Sequence, residues 1–114
     1  MLSRLFGKKP EVPETDVATL ARERDSGKNL QIIDVREPDE FAAGHMPGAR
    51  LIPLGQLPAR TSELDPSQPI VVVCRSGNRS ATATEFLLKS GFQDVRNLAG
   101  GMIAWVQAGH PVRR

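Results

Sequence analysis

The chain contains one cysteine, Cys74, which ends an apolar run and opens a polar loop in VVVCRSGNRSA, residues 71–81. A buried strand accepts cysteine as a small hydrophobe. The loop asks for more than packing, because two arginines, two serines, a glycine and an asparagine follow within six residues. Ligands of a parallel α/β sheet gather beyond the carboxyl ends of its strands, which is where Cys74 falls. A loop leading from a strand end into a helix can turn successive backbone N–H groups toward one point, with the helix dipole behind them. Gly77 supplies the freedom for positive φ, and Asn78 tolerates that region better than most residues. The centre of such a bowl favours negative charge, and the Cys74 sulfur is the side chain best placed to occupy it. Lowering a thiol pKa from about 8.5 to about 7 takes roughly 2 kcal/mol. A helix dipole contributes about 0.3–1 kcal/mol, so N–H contacts or a guanidinium must supply the rest. These residues read as an activated thiolate nucleophile.

Loop length separates the reactions open to it. A cysteine phosphatase encircles a phosphoryl group with a C-x5-R loop, whereas four residues lie between Cys74 and Arg79. The smaller bowl suits one extra sulfur on the cysteine better than a tetrahedral phosphate. No histidine neighbours Cys74 and no second thiol could resolve a disulfide. One thiolate in a small anion cradle points to sulfur transfer, in which the sulfur is held as a persulfide and then given to an outside nucleophile.

The residues around Cys74 have competing readings. Arg75 either clamps an anionic donor or points to solvent, and its place beside the nucleophile favours the clamp. Arg79 opens a helix, where a cation is unfavourable, so a structural or field-setting role stands beside direct contact with substrate. Ser76 and Ser80 either donate to the sulfur or cap the helix, with capping the safer assignment for Ser80. Asp34 and Arg36 leave a strand end on the same side as Cys74. They could orient the loop or help bind donor, and a buried ion pair with a neighbour such as Glu40 is the stronger reading. His45 in AGHMPGA reads as a turn residue before a general base, and His110 as solvated.

These groups need elements to position them. Residues 1–13 carry two prolines and read as a flexible leader, with the domain spanning 14–114. Leu2, Leu5 and Phe6 could form a sticky turn, with disorder or light packing the simpler reading. Thr15 is the expected N-cap of a helix carrying Val17, Leu20 and Ala21 and closed by Gly27. LQIID (30–34) reads as a buried strand, and EPDEFAAG as a helix with Pro38 at its first position. RLIPL is a strand limited by Pro53 and Pro58. PIVVVC (69–74) is apolar on both faces and belongs at the centre of a covered sheet. A helix runs from Arg79 to Lys89, with Ala83, Phe86 and Leu87 on one side. DVRNL is a further strand, and GMIAWVQAG a last helix that Gly100 and Gly101 let start tightly. Phe86 and Trp105 are core. Strands alternating with helices across short connections indicate an α/β domain with a parallel sheet.

Composition narrows the function classes. The 114 residues suit one domain, and 15 basic against 13 acidic residues, without a long basic stripe, argue against nucleic-acid binding. One cysteine excludes an internal disulfide, a cysteine-rich zinc site and a CxxC pair, so no metal or cofactor is expected. The opening MLSRLFGKKP has no apolar stretch long enough for a signal peptide, and no run approaches a membrane span. The expectation is a soluble, cytoplasmic protein with no membrane partner.

DVREPDEFAAGHMPGA (34–49), CRSGNRS (74–80) and LAGGMIAW (98–105) together resemble the single-domain rhodaneses, in the family's order and spacing across about residues 30–111. The resemblance implies a three-layer fold, with a central five-stranded parallel sheet flanked by helices. It implies thiosulfate or a related sulfane-sulfur donor, and cyanide or a thiol as acceptor. Carried over by residue, Cys74 is the persulfide-bearing nucleophile, and Arg75, Ser76, Gly77, Asn78 and Arg79 are the active-site loop. Similar proteins often have asparagine where Leu51 stands, so one local polar contact differs here. Two other functions share the fold: a non-catalytic binding module, which can dispense with the nucleophile, and a small phosphatase or arsenate reductase, which the short loop disfavours.

Overall fold

The computed structural model describes residues 9–114. The reading of Leu2, Leu5 and Phe6 lies outside the described residues. Ile70–Val73 form β4, and all four side chains are buried. Ile70 and Val72 enter one apolar cluster, Val71 and Val73 the other. A strand that is apolar on both faces needs a layer on each side. Helices supply both layers.

Among the described residues the sheet has five parallel strands in the order β1-β5-β4-β2-β3. They are β1 (Glu14–Thr15), β2 (Gln31–Asp34), β3 (Arg50–Leu51), β4 and β5 (Val95–Leu98). The three-layer α/β architecture is the expected one. Helix α1 (Val17–Asp25) and helix α5 (Gly101–Gln107) cover one face, with Leu20, Met102 and Trp105 packed on Val71, Val73 and Leu98. Helix α3 (Leu57–Arg60) and helix α4 (Asn78–Lys89) cover the other, with Leu57, Ala83 and Leu87 against Ile33, Val72 and Val95. Helix α2 (Pro38–Ala43) has no buried residue and lies at the carboxyl end of β2. Phe86 packs at the margin of its cluster, and Trp105 is 2% exposed, with its indole N–H donating to the Pro111 carbonyl at 2.8 Å.

Two local expectations are corrected. Asp16, not Thr15, caps α1, its Oδ1 accepting from the Thr19 N–H at 2.8 Å. Thr15 belongs to β1, because its carbonyl accepts from Ala99 N–H at 2.8 Å and Pro13 from Asn97 at 2.9 Å. The RLIPL strand shrinks to two residues, since Pro53 and Pro58 divert the chain into 3-10 turns flanking α3. No helix among the described residues is long and apolar enough to cross a membrane.

Candidate active site

The alternation of β4 carries Cys74 onto the α4 face, where it is 1% exposed. The chain then turns at Gly77, whose φ is +108°, and enters α4 at Asn78. Asn78 is helical, and no described non-glycine residue has positive φ, so Gly77 alone makes the turn. The loop is held from outside by the first turn of α5. Met102 N–H donates to the Cys74 carbonyl at 2.9 Å and Ile103 N–H to the Arg75 carbonyl at 3.1 Å. This approach demands glycine: a Cβ on Gly101 would sit 2.4 Å from the Cys74 carbonyl oxygen. With those carbonyls engaged by α5, the loop N–H groups are left to the sulfur.

Gly77 N–H and the Ser80 hydroxyl both donate to Cys74 Sγ at 3.1 Å. Burial is the largest single influence on the thiol and pushes its pKa up. The Ser80 hydroxyl and the backbone N–H groups of Ser80, Gly77 and Ser76 together outweigh it, and the thiol lies below its ordinary value. The shift is toward the thiolate, the nucleophilic form of a cysteine. Ser80 is therefore not the helix cap. Gly77 occupies that position, and the serine hydroxyl, one turn into α4, points at the sulfur.

The charged residues divide into pairs. Arg79 makes a two-pronged contact with Glu40, Nη1 to Oε1 at 2.7 Å and Nη2 to Oε2 at 2.8 Å, joining α4 to α2. These hydrogen bonds hold the Glu40 carboxyl at about 2, and they raise Arg79, to which the nearby Cys74 charge adds a smaller share. The cation at the start of α4 thus has its own carboxylate. Asp34 pairs with Arg36 itself rather than either pairing with Glu40: Arg36 Nε lies 2.9 Å from Oδ1 and Nη2 2.8 Å from Oδ2. Arg36 also donates to the Gly44 carbonyl at 2.8 Å, fastening the end of α2 to β2.

Arg75 is exposed and lines a groove of about 440 Å³ between α2 and α5. Arg36 and Arg114 line it too, with Met102, Ile103, Val106 and Val112 as its apolar wall. Ser76 is exposed and offers the sulfur its backbone N–H. His45 stacks on Phe41 at 3.7 Å between ring centroids and donates from Nδ1 to the Phe41 carbonyl at 2.8 Å, which makes it a turn-holding residue. His110 packs against Trp105 at 4.5 Å.

Sequence reasoning missed Asn97. It lies in β5, is 0% exposed, and donates from Nδ2 to the Gly77 carbonyl at 3.0 Å and to Glu14 Oε2 at 3.1 Å. Its Oδ1 accepts from the Ser80 hydroxyl. The available signal was an amide inside the strand pattern DVRNL, since a buried amide needs partners.

A family model described as "Rhodanese-like domain" matches residues 16–108. The chain belongs to the rhodanese family. A sulfurtransferase of Allochromatium vinosum is 37% identical over 101 residues, covering 89% of this chain and 94% of that protein. A thiosulfate sulfurtransferase, GlpE, of Pseudoalteromonas translucida is 35% identical and covers 71% of this chain and 77% of that one. Among solved structures, a rhodanese-related protein from Thermoplasma volcanium superposes with a TM-score of 0.82 at 30% identity, covering 90% of this chain and 98% of the other. The rhodanese domain here therefore has sulfurtransferases among its relatives over nearly its whole length.

Proposed function

We propose that the protein is a cytoplasmic sulfurtransferase that moves a sulfane sulfur from thiosulfate or a related donor to cyanide or a thiol, through a persulfide on Cys74. The observation that carries this reading is the Cys74 sulfur at the centre of a four-residue loop, with Gly77 N–H and the Ser80 hydroxyl each at 3.1 Å. The Cys74 thiolate attacks the outer sulfur of thiosulfate. A new S–S bond forms, the old one breaks, and sulfite leaves with the bonding pair. The acceptor then attacks the outer sulfur of the persulfide, and Cys74 departs as thiolate. Each half-reaction uses or regenerates a thiolate, so donors aimed at that sulfur act twice. Arg75 meets the donor dianion at the groove, where acceptors also enter. A thiol that must stay reduced suits the reducing cytoplasm.

The test is steady-state thiosulfate-to-cyanide transfer, followed as thiocyanate. The parent should turn over, and Cys74→Ser should keep the fold and lose the activity. Full activity in Cys74→Ser would reject the assignment. Turnover of aryl phosphates by the parent, with no sulfur transfer, would favour phosphatase chemistry instead.

A further inference from the structure

The Ser80 hydroxyl has one proton and two acceptors, Cys74 Sγ at 3.1 Å and Asn97 Oδ1. Only one can receive it at a time. The orientation of Asn97 is not free to adapt. Both of its amide protons are committed, to the Gly77 carbonyl at 3.0 Å and Glu14 Oε2 at 3.1 Å, so Oδ1 must face Ser80. When the sulfur is a thiol, its S–H can donate to Ser80 Oγ while the hydroxyl donates to Asn97. When the sulfur is a thiolate, it is the stronger acceptor, and the hydroxyl turns to it. Oδ1 is then left, fully buried, without its donor.

We propose that Asn97 is a positioning residue that acts through Ser80, holding the hydroxyl proton whenever the cysteine sulfur is neutral and ceding it when the sulfur is anionic. The proton stays bonded to Ser80 Oγ throughout, and only its direction changes. In the sulfur-transfer reading, the inner sulfur of the persulfide is neutral, so the hydroxyl returns to Asn97 after the first step and meets the departing thiolate again in the second. Asn97 thus has two opposed effects. Anchoring the Gly77 carbonyl helps the N–H cradle, and competing for the Ser80 proton restrains thiolate formation. The charged groups around the sulfur are Arg75 and Arg79, Glu40 on Arg79, Asp34 with Arg36 at the end of β2, and Glu14 behind Asn97.

The test is a double-mutant cycle on the pKa of Cys74, read from the pH dependence of iodoacetamide alkylation. The parent is compared with Ser80→Ala, Asn97→Ala and the double variant. The change caused by Asn97→Ala should be more acid by roughly half a unit or more with Ser80 present than with Ser80 absent, as for release of one competing hydrogen bond. Equal changes in the two backgrounds would make Asn97 a mere anchor and overturn the proposal. A second arm avoids replacing Asn97. The carbonyl 13C resonance of its side chain should follow the Cys74 titration in the parent and lose most of that response in Ser80→Ala. A resonance that ignores the titration in the parent, or follows it equally in Ser80→Ala, would also overturn it. Both arms read the free thiol, so they decide the role of Asn97 even in a protein that fails to transfer sulfur.

Discussion

At the scale of single residues, the groups near Cys74 differ in where they stand. The Ser80 hydroxyl and backbone N–H groups reach the buried sulfur and lower the thiol pKa, while Arg75 is exposed and lines the groove. Arg75 should therefore recognise donor charge without setting thiolate content. Arg75→Ala should raise the thiosulfate KM by about tenfold, the loss of one charge-assisted contact. Alkylation of Cys74 by a neutral reagent at neutral pH should change little. Salt should weaken thiosulfate use by the parent more than by the variant, because screening acts on the contact removed. A sharp fall in alkylation with an unchanged KM would place Arg75 among the thiol-activating groups instead. Cys74 and its loop were legible in the sequence because an apolar run stops abruptly at arginine, serine and glycine. Ser80 was not, because a serine near a helix start can either cap it or turn inward. The Gly77 turn decides between these, and it exists only once the loop folds.

At the scale of elements, the loop is fastened by two neighbours of different chemistry. The first turn of α5 holds its carbonyls through Met102 and Ile103, and α2 holds Arg79 through Glu40. The second fastening depends on pH. The Glu40 carboxyl is held at about 2, below its ordinary 4.5, chiefly by the Arg79 hydrogen bonds. A depressed carboxyl pKa contributes stability that is present above the unfolded-state value and lost as pH falls through the folded one. The stability gap between the parent and Glu40→Gln should thus be full near neutrality and shrink between about pH 5 and about pH 2. Chemical denaturation across that range measures it. A gap that stays constant to the acid end would mean that Glu40 works through packing rather than charge. The pairing was only half legible. Arg79 at a helix start pointed to a structural or field-setting role but not to its carboxylate, because Glu40 is 39 positions away in sequence, and only the sheet order brings α2 beside α4.

At the scale of the whole molecule, β4 is the shared wall of two cores. Leu20 lies in one and Leu87 in the other, each 0% exposed. Leu20→Ala and Leu87→Ala should each cost about 2–5 kcal/mol. Both should unfold in a single transition, because neither layer can leave without exposing β4. Fluorescence of Trp105, the only tryptophan, reports the α5 side, and far-UV circular dichroism reports both. Separate transitions by the two probes would contradict a single cooperative unit. The layered α/β plan was legible because β2 and β4 read as buried apolar runs and because strands alternate with helices across short connections. The edge strands were less so. β1 is two residues, Glu14 and Thr15, too short to show a period, and β5 recruits it through backbone hydrogen bonds and the Asn97–Glu14 side-chain contact. Asn97 was hidden for a related reason: its partners come from the loop, α4 and β1, and no local pattern joins them.

All of this chemistry turns on Cys74 carrying the transferable sulfur. Intact-mass spectrometry of the reduced protein before and after thiosulfate, followed by peptide mapping, puts that to the test. The peptide containing Cys74 should gain one sulfur atom, which cyanide removes and which Cys74→Ser never acquires. A parent that turns over thiosulfate while its Cys74 peptide never gains sulfur would refute the assignment.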